Sequence, residues 1–580
     1  MRPGLMMAAA AALVSMAAVF IVKTYADALF LAEYGARFVP HFMVGQALAL
    51  VGVSAGYGRL IQRGKPLGVD LIVLGSVAAI AIVAPLIASQ GRLWVFAIAL
   101  AMIAGVALAQ MVVWNAATSV VSGRAARAFL PKAGAAATAG AVAGGFGSSA
   151  IVGVGSLSAL APVAGGLLFV SLVLRLLLRP RRVVRRVSAK LPIESGPART
   201  ATSVKRLVSI LAIATVVEAL LSAVIDFGFK REVEIAFAGD PDRMGLFFSL
   251  FYGTSNVLLL GVQLFAAPRL LATRSLKFSL EVQPVAQTAA SLLWAFFPFL
   301  PLAAISRGLE NVFKFGLARP AQEVALTPLL EIDRKRWKVL LRGVYAQGGS
   351  LAAGLALIVL SPALLWHPSR IPLLAAGIAL CWIQFQRRTA DTYRQTLGSA
   401  LGLRHRLSAQ DRDELFIDRD SLGRVIELAD SQDRGTASLA LELVDELARS
   451  SKQLTPHIGR GSASARRAVY RVLASRPYKN CRESLARAVA KEEPSSPALA
   501  DALVALDAQG DDSALARARE LARDARPETR DEPAAAAWFY LAATGFASAD
   551  DRDAVLRAPI RSDGRRAAHL CTALQRSEQL

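Results

Sequence analysis

Twelve apolar stretches, at about 5–27, 38–60, 68–89, 92–117, 132–153, 156–178, 205–227, 243–266, 280–297, 300–320, 338–360 and 366–387, follow one another with short breaks. A hydrocarbon layer about 30 Å thick is crossed by roughly 20 apolar residues in a helix. Lipid offers no partner for a backbone N–H or C=O, so each stretch must satisfy its own backbone as an α-helix. The tightest junction, Phe296-Phe297-Pro298-Phe299-Leu300-Pro301, lies between the ninth and tenth. The first stretch is long, has a single Arg2 before it and is followed by many more, which predicts a retained helix rather than a cleaved leader. The expectation is an all-α polytopic membrane protein.

With 54% hydrophobic and 19% charged residues in a length of 580, the chain holds more apolar surface than a soluble core needs. A formal charge of +22 would point to nucleic acid in a soluble protein, but here the basic residues sit mostly in loops. Loops after even-numbered stretches hold Arg59, Arg63 and Lys65, then Arg124, Arg127 and Lys132, then a run between 179 and 206. They continue with Arg269, Arg274 and Lys277, and with Arg334, Lys335, Arg336 and Lys338. Loops after odd-numbered stretches are nearly bare. Short cytoplasmic loops collect Lys and Arg, so both termini are expected in the cytoplasm and the lipid bilayer replaces nucleic acid as the large partner. Ala- and Arg-heavy usage points to a bacterial inner membrane. Cys381, Cys481 and Cys571 are far apart, without metal-ligand or CxxC spacing, and read as packing residues.

The basic run beginning Arg179-Pro180-Arg181-Arg182 divides the stretches six and six. The expected organisation is a six-helix lobe over 1–178, a basic cytoplasmic linker over 179–204, a second six-helix lobe over 205–390 and a soluble helical domain over 410–580. Two six-helix lobes form a major-facilitator-like layout, with the halves as parallel repeats and the ligand site near the midplane between them. The Gly/Ala-rich stretch 133–147 corresponds to the eleventh helix, whose Gln347-Gly348-Gly349-Ser350 and Ala352-Ala353-Gly354 permit the same close backbone approach.

A charge at the bilayer centre costs about 2.5–3.5 kcal/mol on insertion scales, so ionisable residues inside these stretches are candidates for function. Lys23 and Asp27 stand one turn apart on the first, with Tyr25 between them. Glu218 and Asp226 are about two turns apart on the seventh, and Lys230 follows one turn later. Asn256 and Gln263 share a face of the eighth, and Arg307, Glu310, Asn311 and Lys314 make the densest polar stripe on the tenth. Two fixed cations on that stripe suit an anionic ligand. The candidate binding residues are Lys23, Asp27, Glu218, Asp226, Lys230, Asn256, Arg307, Glu310, Asn311 and Lys314. In the plainer reading, the charges near helix ends snorkel or only lock the lobes together, and Asn256 and Gln263 join helices by hydrogen bonds. No Walker-type Gly loop, HExxH or nucleophile constellation is present. No enzymatic activity, cofactor or metal is expected, and any transport would run on gradients or exchange.

The segments Ile225-Asp226-Phe227-Gly228-Phe229-Lys230, Phe247-Phe248, Phe251-Tyr252 and Thr327-Pro328-Leu329, with the run from Asn311-Val312-Phe313-Lys314 to Ala321-Gln322-Glu323, resemble the nucleotide-transporter (ATP/ADP translocase) family. In the first half Asp27-Ala28-Leu29-Phe30-Leu31, Trp114-Asn115 and Phe129-Leu130-Pro131-Lys132-Ala133-Gly134 look like counterparts, so the resemblance covers about 20–360. It implies a major-facilitator-like carrier that exchanges nucleotides. Two departures weaken the substrate. Where nucleotide-exchanging members look to carry a lysine before the first-helix aspartate this chain has Ala26, and the stretch 102–110 of the fourth helix has no acid. Asp226 does match an acidic position of the family's seventh helix.

Beyond Arg388 hydropathy falls, and short amphipathic helices are predicted at 421–429, 436–447, 463–474, 482–489, 498–506, 514–523 and 533–543. Consecutive helices with Leu/Ala/Val faces suggest a HEAT-like solenoid able to take a cytoplasmic protein partner over 410–580. A compact bundle is the plainer alternative. His457 and His569 are isolated and read as surface or packing residues. The leading expectation is a carrier for an anionic metabolite such as a nucleotide. The rival is a non-transporting anchor, scaffold or sensor that presents the tail, and a lipid or amphiphile transporter stands third.

Overall fold

The computed structural model describes residues 3–63, 66–119, 124–178, 198–237, 239–329, 331–404, 422–428, 444, 454–475, 481–493, 495–526 and 532–557. Two compact units are formed, one of Met1–Ser195 with Val204–Thr392 and one of Gly196–Ser203 with Tyr393–Leu580. Most of the basic linker, the helix expected at 436–447 (Val444 apart), Cys571 and His569 lie outside the described residues.

The first half contributes α1 (Pro3–Tyr34), α2 (Val39–Arg63), α3 (Pro66–Ala88), α4 (Arg92–Ser119), α5 (Arg124–Val154) and α6 (Leu160–Leu177). The second begins with α7 (Ala198–Phe237) and α8, where Pro241–Gly261 passes through a π turn at Val262–Ala266 into Ala267–Thr273. It continues with α9 (Leu276–Phe296) and α10, where Leu300–Phe313 passes through a π turn at Lys314–Ala318 into Arg319–Ala325. The last two rods are α11 (Glu331–Val339, a π turn at Leu340–Tyr345, then Ala346–Leu365) and α12 (Arg370–Arg404). Among the described residues nine rods are long and apolar enough to cross a membrane. The other three, α9, α10 and α12, are more polar: α9 buries Gln283, Gln287 and Ser291, α10 carries the charged stripe, and α12 ends among arginines.

Two of the π turns have a cause in the sequence. Pro268 and Pro320 lack the N–H that a continuing α-helix would use, and their rings crowd the carbonyl four residues earlier. Widening the turn just before each proline relieves that conflict without ending the rod. The two widened turns pack on each other, Gly316 against Val262, so α8 and α10 meet where both are irregular.

The halves repeat one another in how their glycines are used. Within the first, a Cβ at Gly144 of α5 would stand 2.8 Å from Ala17 Cα of α1; within the second, one at Gly349 of α11 would stand 2.8 Å from Ala219 Cβ of α7. Across the halves, a Cβ at Gly145 of α5 would overlap the backbone of Gly253 on α8, and one at Gly354 of α11 would stand 2.8 Å from Val44 Cγ2 of α2. Advancing each helix by six places turns the first contact of each pair into the second, as two parallel repeats require. Overpacking typically costs about 1–3 kcal/mol, so Gly145→Val should lower the unfolding midpoint in detergent. Gly147→Val is the control, since a Cβ at Gly147 meets nothing within 4 Å.

At one end of this unit, loops of the first half meet the ends of α7 and α8. Ala36 N–H, after α1, donates to Glu234 Oε2 near the end of α7 at 2.8 Å, and Leu157 N–H, before α6, donates to Asp242 Oδ1 of α8 at 2.7 Å. Beside them Arg92 of α4 donates to Glu33 O at 2.8 Å and pairs with its carboxylate at 3.3 Å.

The second unit contains α13 (Leu422–Leu428), α14 (Ala463–Ser475), α15 (Arg482–Lys491), α16 (Leu499–Ala508), α17 (Ser513–Ala522), α18 (Glu532–Thr544) and α19 (Ala549–Arg557). The last was not anticipated from the sequence. α16 packs against α14, α15, α17 and α18, its neighbours one and two places along the chain, and Leu499–Leu506 is buried throughout. Asp501, in the middle of that run, pairs with Arg467 and, at 3.3 Å, Arg471 of α14. Glu492 takes Arg466 at 2.8 Å and the Tyr470 hydroxyl at 3.1 Å, and burial beside that carboxylate pushes the phenol well above its usual range.

Candidate functional site

The intramembrane charges of α1, α7 and α10 are brought together in one unbroken column. Lys23 Nζ lies 3.1 Å from Asp27 Oδ2. Asp27 Oδ1 takes Lys230 Nζ of α7 at 2.8 Å, and Lys230 also lies 3.2 Å from Asp226 Oδ2, one turn earlier. Asp226 Oδ1 takes Arg307 of α10 at 3.0 Å; Arg307 then bonds Glu310. Glu310 Oε1 lies 3.5 Å from Lys314 Nζ, which ends the column 3.6 Å from Glu218 Oε1 of α7. Charges alternate in sign along it: Lys23, Lys230, Arg307 and Lys314 against Asp27, Asp226, Glu310 and Glu218.

Helix periodicity explains the arrangement. Lys23 and Asp27, Asp226 and Lys230, and Glu310 and Lys314 are each four residues apart, and Arg307 is three from Glu310, so each helix presents its charges on one face. Unpaired, such groups would be too costly in hydrocarbon; opposite charges on facing helices let them remain. The link between the halves is Asp27, on α1, held by Lys230 on α7 and by the Tyr252 hydroxyl on α8 at 2.6 Å. Lys23 donates to the same phenol oxygen at 2.6 Å and lies 4.0 Å from the ring centroid, a cation–π contact.

The remaining candidates lie beside the column or apart from it. Asn256 is buried one turn after Tyr252 and donates to its carbonyl at 2.8 Å. Gln263 accepts from Thr138 of α5 at 2.9 Å, the interhelical role foreseen for it. Asn311 is half-buried on α10.

Sequence reasoning did not single out Tyr252, Ser222 or Gln322 as site residues. Ser222 donates to Glu310 Oε1 at 2.5 Å, and Gln322 Nε2 donates to Glu218 Oε2 at 3.1 Å. Both are neutral, and neutral polar residues are too common in membrane helices to signal a site. A second buried ion pair was also missed. Arg175 of α6 donates to Asp70 Oδ2 of α3 through Nε at 3.1 Å and Nη2 at 2.9 Å, and Asp70 Oδ1 accepts from Tyr57 of α2 at 2.8 Å. The signal was present, since Asp70 and Arg175 both lie inside apolar stretches.

No family model matches the sequence, and no curated protein matches it either. Solved structures similar to the chain include a point mutant of the nucleoside transporter NupG (13% identity, 65% of this chain and 99% of that one, TM-score 0.47). A POT family transporter crystallised with a thioalcohol-conjugated peptide is also similar (12%, 66% and 94%, 0.46). So is a bacterial homologue of the human lysosomal transporter Spinster in an inward-facing, unoccupied conformation (13%, 69% and 96%, 0.43). Likeness at this level leaves the functional reading to the charged column itself.

Proposed function

We propose that the chain is an alternating-access carrier for a small anionic metabolite, with a nucleotide such as ATP or ADP among the candidates, in a bacterial inner membrane with both termini cytoplasmic. The observation that carries this reading is the column. Eight ionisable side chains, alternately acidic and basic, are gathered between helices of both halves, where packing alone would favour apolar residues. The family resemblance around Asp226, Lys230 and Asn311–Lys314 supports a nucleotide, while Ala26 and the acid-free stretch 102–110 leave that substrate class open. The second unit, with helices packing on near neighbours in the chain, is read as a HEAT-like regulatory or docking module.

A non-transporting anchor is the second reading, favoured by one observation: each of the eight charges already has an opposite partner. Proteoliposome uptake separates the two. A charge-assisted contact is worth about 1.5–3 kcal/mol, so Arg307→Gln and Lys314→Gln should each lower uptake of labelled ADP by about 10- to 100-fold with expression intact. ADP should also raise the thermal midpoint of the wild type in detergent and fail to do so in Arg307→Gln. If neither ADP nor other phosphorylated metabolites stabilise the protein or cross the membrane, the anchor reading replaces the carrier.

A further inference from the structure

We infer that Glu310 takes up one proton when an oxyanion binds to Arg307 and Lys314, so that anion and proton move together; this rests on the anion-carrier reading. The geometry around α10 separates what a solute meets from what lies beneath. The Arg307 and Lys314 side chains are 20% and 17% exposed, whereas that of Glu310, between them and bonded to both, is 3% exposed. An entering phosphate or carboxylate therefore reaches the two cations first and competes with Glu310 for them.

Before the anion arrives the eight members of the column set four basic groups against four carboxyl groups, with Arg319 beside Glu218 in addition. An oxyanion that occupies both cations adds negative charge to a buried network, and a carboxylate left there without its cations is strongly disfavoured. Glu310 is the carboxylate that loses most. Asp226 keeps Lys230 at 3.2 Å. Glu218, whose Lys314 contact is the longest of the column at 3.6 Å, keeps the Gln322 amide at 3.1 Å and the nearby charge of Arg319. Among the described residues, Glu310 keeps only the Ser222 hydroxyl at 2.5 Å. That hydroxyl can donate to the carboxylate or accept from the acid, so it serves both protonation states without moving.

The other groups around Glu310 do not supply the missing charge. From α7 it faces Ser222, with Asp226 and Glu218 one cation away on either side. From α1 and α8, Asp27 is joined to the column through Lys230, while Lys23 and Tyr252 also feel the charge of Arg307 directly. From α9, Gln287 reaches α10 at Ser306, donating at 2.6 Å. In the proposed step the N–H donors of Arg307 and Lys314 transfer from Glu310 to the oxyanion, and one proton from water adds to a Glu310 oxygen. Both changes reverse on release.

The test uses the full chain in detergent, with ADP and inorganic phosphate as probes. Titration calorimetry in buffers of different ionisation enthalpy counts the protons taken up per anion bound. The expected count approaches one, with affinity rising up to tenfold per unit fall in pH, the slope for a single linked proton. Glu310→Gln, which carries no charge, should bind the anion with no proton uptake and a flat pH profile. Binding by the wild type without proton uptake overturns the coupling while leaving the carrier intact, and needs no variant to fold. Uptake that persists in Glu310→Gln overturns the assignment to this residue, and binding of neither anion overturns the coupling together with the carrier reading.

Discussion

Asp27→Asn is expected to lower the stability of the purified protein by about 3–5 kcal/mol, the usual cost of breaking a buried ion pair from one side. Asp27 is 4% exposed and receives Lys230, Lys23 and the Tyr252 hydroxyl, so three donors lose a full negative charge at once. Lys230, at 7% exposure, cannot reach water, whereas Lys23 at 29% can. Lys23→Met should therefore cost far less than Asp27→Asn. The double variant Asp27→Asn, Lys230→Met should recover part of the loss, because it removes a cation left with one carboxylate where it had two, and Asp226 keeps Arg307. Unfolding midpoints in a mild detergent check the order. A loss below about 1 kcal/mol for Asp27→Asn would mean that water already screens the pair.

Asp70→Ala is expected to be comparably severe, again about 3–5 kcal/mol, although it lies away from the column. Arg175 and Asp70 side chains are 4% and 1% exposed, and Arg175 Nη1 already lacks a hydrogen-bond partner, so the remaining donors depend on this one carboxylate. The two variants should differ in what rescues them. A ligand bound at Arg307 and Lys314 should stabilise Asp70→Ala by as much as it stabilises the wild type, because separated sites add. Asp27→Asn, joined to those cations through Lys230 and Asp226, should not show the same increment. Thermal shifts with and without ADP read the difference.

The twelve helices were legible because lipid leaves a backbone so few choices, and the column was legible for the same reason, since a charge among apolar residues is conspicuous. Their limits were less so. Hydropathy placed the ends of the first and seventh helices at 27 and 227, yet the helices continue to Tyr34 and Phe237. Charged residues such as Lys230 and Glu234 lower hydropathy without breaking the helix, because facing groups satisfy them. Partners one turn apart, such as Lys23 and Asp27, were legible from spacing, but the partners across helices were not. That Lys230 meets Asp27, or Ser222 meets Glu310, depends on how helices far apart in sequence face one another. The π turns needed only Pro268 and Pro320 to be read as widening a rod instead of ending it.

The alternation of sign along the column has an electrical consequence. Moving one elementary charge through a 100 mV membrane potential is worth about 2.3 kcal/mol, so a cluster of uncompensated cations would make any rearrangement strongly voltage-dependent. Four cations and four carboxylates travelling together carry no net charge through the field. On the carrier reading, these helices would shift at little cost from the membrane potential, and any current would belong to the solute and the protons coupled to it.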